Sequence, residues 1–329
     1  MKLYSIRLNN IIRWNIDTSD PVSWTFSTVQ GGYILNPLAA VDSIEIPTTF
    51  ELGNDQFHVI TNYLLLALEK EMSMRELGPM VDSWLRIARI SSKQPALPLS
   101  SIAVSVADLE FENVKLRATP VGGFRKGILF GEHNVKTAMN AAAMQLMANL
   151  TNLDAVPLFH ELILDAINAH MNYRYRDAIL YSAFAVESLV QHELTRHYEE
   201  ALAAHVPPGH LNIMTTAIGG GRTSKKDPIY ALLTDGDNFP RLLHEAPLYL
   251  IRRSMLIEAP LLYKNARMLY ATRNRLSHGQ TIDSTDHTRL QINSDGSGSA
   301  VQIALEVFAW FDIQGYHFPD VRKVNLNSN

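Results

Sequence analysis

The sequence predicts an α+β protein: a mixed, strand-rich N-terminal domain over residues 1–150, followed by an all-α helical bundle over 151–329. Three observations predict it. Apolar residues alternate in the first part of the chain, they recur at three- and four-residue steps in the second part, and turn signals at 19–21 and 31–32 bracket a short alternating run near the start. With 329 residues and 47% hydrophobic content, the chain is long enough to fill two ordinary cores.

Taken in order, residues 1–30 read as short strands, with Leu3, Ile6, Leu8, Ile11 and Ile12 set among polar residues and a second alternating run over 24–29. Ser19-Asp20-Pro21 and Gly31-Gly32 bracket that second run. A third strand is expected over 43–50. From Asn54 the period turns helical, placing Phe57, Ile60, Leu64, Leu65 and Leu68 on one face, and 75–90 reads as another helix, bent or restarted at Gly78-Pro79. After a linker over 91–100, strands return at Ile102, Val104 and Val106, then at Leu109, Phe111, Val114 and Leu116. A turn at 122–127 and a Met- and Ala-rich helix over 134–150 lead to a border at 151–157.

Beyond the border, 156–171 forms a first bundle helix with Leu158, Leu162, Ala166 and Ala169 inward, and 173–204 forms a second. Pro207-Pro208-Gly209 opens a long insert to about 240 without clear periodicity, a kind of segment that is often mobile or functional. Residues 242–257 are helical apart from Pro247, and 300–311 closes the bundle with Val301, Leu305, Phe308 and Trp310 after a flexible loop over 294–299. Between them lies 258–280, the stretch around which the rest is organised. Leu261, Leu262, Ala266, Leu269, Tyr270 and Leu276 mark one buried face, Pro260 suits the first turn, and Gly279 suits the position just past a helix ending near His278.

That helix carries Arg273-Asn274-Arg275-Leu276-Ser277-His278. At ~100° and ~1.5 Å per residue, Asn274 and His278 stack on one side, whereas Arg273 lies ~140° around and must reach across. His278 occupies the last turn, where the helix dipole favours a cation. An imidazole proton donor near a permanent guanidinium suits phosphoryl chemistry. Taken alone, an Arg and a His near a helix C-terminus are also common as simple complements to the dipole. Upstream, Ala178, Ser182, Ala185, Val186 and Leu189 form a close-packing stripe with Glu187 in its apolar middle, and a carboxylate there needs a cationic or hydrogen-bonding partner.

Composition narrows the classes. No cysteine is present, so a disulfide scaffold and a cysteine-ligated metal are excluded. No signal-peptide core and no apolar run approaching ~20 residues is seen, so a soluble cytoplasmic protein without membrane contact is expected. The net charge of −4 argues against broad nucleic-acid affinity, and together with the lack of a helix-turn-helix it weakens a DNA-binding reading. Locally the balance reverses: Arg241, Arg252, Arg253, Lys264, Arg267, Arg273 and Arg275 outnumber Glu245 and Glu258. Such a strip suits docking of a polyanion, or is simply a set of solvated helix faces. Several motifs fail on spacing. His192-Glu193-Leu194-Thr195-Arg196-His197 has one residue too many for a zinc helix, Gly219 to Lys226 is no P-loop, and 122–127 lacks the setting of a dinucleotide fingerprint. Asp283, Ser284, Asp286 and His287 read as a polar loop rather than a triad.

The Ala-rich helix bearing Glu187, followed by Arg273, Asn274 and His278 as R-N-x3-H, resembles the HEPN superfamily (higher eukaryote and prokaryote nucleotide-binding) over roughly residues 150–315. The resemblance implies an all-α HEPN-type bundle acting as an endoribonuclease without metal or other cofactor. His278 would be general acid or base, Arg273 would hold the phosphorane oxygens, and Asn274 would orient the phosphate or His278. Glu187 would partner Arg273. Lys264, Arg267, Arg275, Arg252 and Arg253 would bind RNA. One motif per chain implies a homodimer with two-fold symmetry. The two-part plan also resembles that of Apea-like HEPN defence proteins, toxins or abortive-infection effectors in which the N-terminal half would sense a trigger or an antitoxin partner. The alternative is a noncatalytic HEPN module that binds nucleotide, RNA or a protein partner.

Overall fold

A computed structural model describes residues 2–17, 26–28, 32–34, 48–53, 56–97, 101–108, 139–149, 156–203, 239–279 and 296–316. These fall into two compact units, one within Met1–Val156 and the other within Pro157–Phe318. Helix outweighs strand among the described residues. The expected strand over 109–116, the turn at 122–127, the insert beyond 203 and the polar loop at 283–287 lie outside them.

In the first unit, β1 (Lys2–Asp17), β2 (Phe26–Thr28), β3 (Gly32–Ile34), β4 (Thr48–Gly53), β5 (Gln56–Leu68) and β6 (Ser101–Asp108) form one sheet. The order is β2-β3-β5-β1-β6, with β4 also on β5, and the pairings are antiparallel. Rather than several short strands, the start of the chain is one long strand with a register shift between Arg7 and Ile12. Tyr4, Ile6 and Leu8 are buried before the irregularity, Ile12 and Trp14 after it.

The helix expected from Asn54 is instead β5. This strand is central, flanked by β1 on one side and by β3 and β4 on the other. Leu64, Leu65, Leu66, Ala67 and Leu68 are all buried, so both of its faces are covered. A strand buried on both faces is a continuous apolar run, and its period no longer distinguishes it from a helix.

Helix α1 (Met74–Ser92) packs Leu77, Val81, Trp84, Leu85 and Ala88 into the core made with Tyr4, Ile6, Trp14 and Leu64. Ser73 and Glu76 form its capping box, with the Ser73 backbone N–H and hydroxyl both donating to Glu76 Oε2 at 3.0 and 2.7 Å. Of the two outcomes expected at Gly78-Pro79, a bend or a restart, the restart does not occur: Pro79 lies inside one continuous helix. Helix α2 (Ala141–Asn149) follows.

The second unit is helical. It contains α3 (Phe159–Met171), α4 (Tyr175–Ala203), the short α5 (Phe239–Leu242), α6 (Glu245–Leu250) and α7 (Met255–Glu258), then α8 (Pro260–Ser277) and α9 (Gly296–Trp310). The stretch expected as helical over 242–257 apart from Pro247 is divided among three short helices, with Pro247 inside α6 rather than outside the helix, and α9 starts inside the stretch expected as a loop over 294–299. Helices α3, α8 and α9 all pack on α4. The small-residue stripe of α4 permits this close approach: Ala178, Ser182, Ala185, Val186 and Leu189 are buried. On α3, Phe159, Ile163, Leu164 and Ile167 are buried with Ala166 and Ala169. Leu158, expected inward, is 57% exposed and precedes the helix.

Candidate functional site

Helix α8 begins with Pro260 in its first turn and has His278 as its C-cap residue. Gly279 follows at φ +72°, a left-handed conformation that glycine adopts without steric penalty, and its N–H donates to the Leu276 carbonyl at 3.1 Å. The buried face is Ala266, Leu269, Thr272 and Leu276, with the Thr272 hydroxyl donating to the Met268 carbonyl at 2.9 Å. Leu261, assigned to that face from the sequence, is 70% exposed.

Arg273 turns towards α4. Its Nη2 donates to Glu187 Oε2 at 2.7 Å, and its Nη1 to Asn274 Oδ1 at 2.6 Å. The guanidinium carbon lies 4.9 Å from the Phe184 ring centre and 5.6 Å from that of Tyr270, within cation–π range of both. The ion pair is mostly buried, with the Arg273 and Glu187 side chains 24% and 23% exposed. Its geometry is incomplete: Glu187 Oε1 and Arg273 Nε are buried and accept or donate no hydrogen bond. Burial pushes the Glu187 carboxyl up to about 7, with the Arg273 charge opposing the rise. Removal from water thus outweighs one well-placed guanidinium, as expected when only one carboxylate oxygen is satisfied.

The structure therefore brings Glu187, Arg273 and Asn274 together, as the sequence anticipated for the first two. Arg273 does not reach across to His278, the arrangement expected from the motif. His278 is exposed at the end of α8, its backbone N–H donating to the Asn274 carbonyl at 3.2 Å. Lys264, Arg267, Asn274, Arg275 and His278 fall within an arc of about 100° on helical spacing. Lys264, Arg267 and His278 are exposed, Asn274 and Arg275 half-buried.

The basic strip divides on inspection. Arg253 serves the bundle itself: it pairs with Glu258 at 3.1 Å and Asp312 at 3.5 Å, donates to the Trp310 carbonyl at 2.8 Å, and lies 4.5 Å from the Trp310 ring centre. Arg241 pairs with Glu245 at 2.9 Å. Arg252 is exposed. Three contributors escaped sequence reasoning. Phe184 and Tyr270 flank the guanidinium, and Arg176 Nη2 donates to the Leu276 carbonyl at 3.3 Å, joining the start of α4 to the end of α8. The first two stood three residues before Glu187 and Arg273, which is same-face helical spacing.

An apolar groove of about 520 Å³ opens between α8 and α9, lined by Pro260, Leu261, Leu262, Ala309 and Trp310 among others. It sits at the opposite end of α8 from His278, about 25 Å along the helix axis. Among the described residues, no cluster of His, Asp and Glu is arranged to hold a metal ion, and no helix is long and apolar enough to cross a membrane. The His192 and His197 pair is engaged elsewhere, His192 against the Phe159 ring at 5.6 Å and His197 Nδ1 with Glu200 at 3.2 Å. No family model, no curated protein and no solved structure matches the chain.

Proposed function

We propose that the helical unit is a HEPN-type, metal-independent endoribonuclease that works as a homodimer in the cytoplasm. The observation that carries the reading is the Glu187–Arg273–Asn274 network beside an exposed imidazole at the end of the same helix. In RNA the nucleophile is already present as the neighbouring 2′-OH. It attacks phosphorus, the P–O5′ bond breaks, and the products are a 2′,3′-cyclic phosphate and a 5′-hydroxyl. One proton leaves the 2′-OH and one reaches the departing 5′-oxygen. A single His278 can serve one of these transfers, and the His278 of a two-fold mate would serve the other. Arg273, fixed by Glu187 and oriented by Asn274, would supply positive charge for the phosphorane, and Lys264, Arg267, Arg275 and Arg252 would hold flanking phosphates.

In this reading the N-terminal, strand-rich half senses a trigger or an antitoxin partner, and the protein is a toxin or anti-phage effector of abortive infection. The test is cleavage of mixed RNA in excess EDTA by the full chain. Wild type is expected to cut, and His278→Ala and Arg273→Ala to lose about a hundredfold or more in rate. Cleavage that survives both substitutions removes the assignment.

One observation favours a noncatalytic module instead: both terminal nitrogens of Arg273 are already engaged within a single chain. That version predicts binding of RNA or nucleotide without turnover, insensitive to His278→Ala.

A further inference from the structure

The turn between α3 and α4, residues Asn172 to Arg174, closes α3 in an unusual way. The Tyr173 N–H donates to the His170 carbonyl at 3.0 Å and the Arg174 N–H to the Ala169 carbonyl at 2.8 Å. This is the closure that normally takes glycine or asparagine at the left-handed position. Here the position is Tyr173, at φ +60°. A bulky residue pays a steric penalty there, and Tyr173 recovers little by burial, since it is 76% exposed. Its ring meets Tyr175 edge-on at 6.2 Å, and Tyr175 in turn lies 5.9 Å from the His170 ring. The outer ring is thus propped from behind with its surroundings open to solvent.

Two arginines stand beside it along the chain. Arg174 is 52% exposed and paired only loosely with Asp177 at 3.6 Å. Arg176 is exposed and ties this corner to the Leu276 carbonyl, two residues before His278. Tyr173-Arg174-Tyr175-Arg176 interleaves two aromatic rings with two arginines, and Arg176 joins this corner to the end of α8 that carries Asn274, Arg275 and His278.

We infer that this corner is a base-stacking subsite for single-stranded RNA, with an unpaired base on the Tyr173 ring and the adjoining phosphates on Arg174 and Arg176. The inference rests on the RNA-cleaving reading of the neighbouring end of α8 and adds a subsite that favours unpaired strands. Aromatic faces stack on any base, but only an unpaired base offers its face, so a duplex is excluded by chemistry rather than by shape.

The experiment uses the full chain and a short single-stranded oligoribonucleotide, 2′-O-methylated to block cleavage and carrying 2-aminopurine. Wild type is expected to raise the anisotropy of the probe and quench its 2-aminopurine. Tyr173→Gly removes the ring while relaxing the backbone, so its thermal stability should equal or exceed that of wild type. Its affinity should nevertheless fall about tenfold, with the quenching lost. Tyr173→Trp should retain both, and a matched duplex should bind more weakly than the single strand. Equal affinity and quenching in Tyr173→Gly and wild type, with His278-dependent cleavage intact, would overturn the subsite alone. A wild-type chain that binds no RNA overturns the subsite and the nuclease reading together.

Discussion

The half-buried pair of Glu187 and Arg273 makes stability depend on pH in an uncommon direction. Burial raises the Glu187 carboxyl from its ordinary 4.5 to about 7, so between these values the folded chain holds a proton that the unfolded chain releases. The contribution is therefore fully present below about pH 4.5 and is lost as pH rises through about 7. Its size follows from the displacement, about 3 kcal/mol between the two protonation states, or about 1.4 kcal/mol per pH unit where the slope is steepest. Glu187→Gln keeps the shape and hydrogen-bonding reach but removes the titration. Urea midpoints between pH 5 and 8 should show wild type losing stability relative to Glu187→Gln as pH increases, most steeply midway between the two values, at about pH 5 to 6.5, and levelling off above about 7. Parallel curves for the two proteins would show that Glu187 keeps an ordinary carboxyl in the folded state and would refute the argument that burial outweighs the guanidinium.

Other substitutions test separate parts of the account. Arg273→Ala removes the charge that opposes the rise of the Glu187 carboxyl, which then keeps its proton to higher pH, so the cost in urea unfolding should be about 1–2 kcal/mol near neutral pH, from the lost hydrogen bonds and ring contacts of the guanidinium. Gly279→Ala meets no atom within 4 Å but must hold φ +72°, so it should cost about 1 kcal/mol in thermal unfolding through backbone strain alone. Arg253→Ala should lower stability by roughly 2 kcal/mol through its lost bonds to Glu258 and Trp310, and leave the salt dependence of RNA binding unchanged. Lys264→Ala and Arg267→Ala should behave oppositely, each flattening the log–log salt slope by about 1 at little cost in stability.

What could be read in advance follows from where each residue's constraint lies. Helix α8 was legible because its punctuation is local: Pro260 fits the first turn and Gly279 takes the left-handed position after His278. The need of Glu187 for a cation was legible from its apolar flanks. That the approach of α8 to α4 would leave Glu187 Oε1 and Arg273 Nε unsatisfied was not, because it is fixed by packing across 86 residues of sequence. Helix α3 is apolar around much of its circumference, so Leu158 and Leu162 looked as suitable for the interior as Phe159 and Ile163, which are buried. Strand β5 failed for the related reason that both of its faces are covered. Arg253 looked like surface charge because Trp310, 57 residues away, gives no sign in the sequence that it will receive the guanidinium.

The central claim is that the end of α8 assists attack by a ribose hydroxyl. It is tested most directly by a substrate carrying one 2′-deoxy substitution at the mapped cleavage position, incubated with the full chain in EDTA beside the all-ribose strand. The account predicts that the all-ribose strand yields a 2′,3′-cyclic phosphate and a 5′-hydroxyl, that the single deoxy substitution stops cleavage there, and that His278→Ala stops it everywhere. Equal cleavage of the two strands, or full activity in His278→Ala, would contradict it.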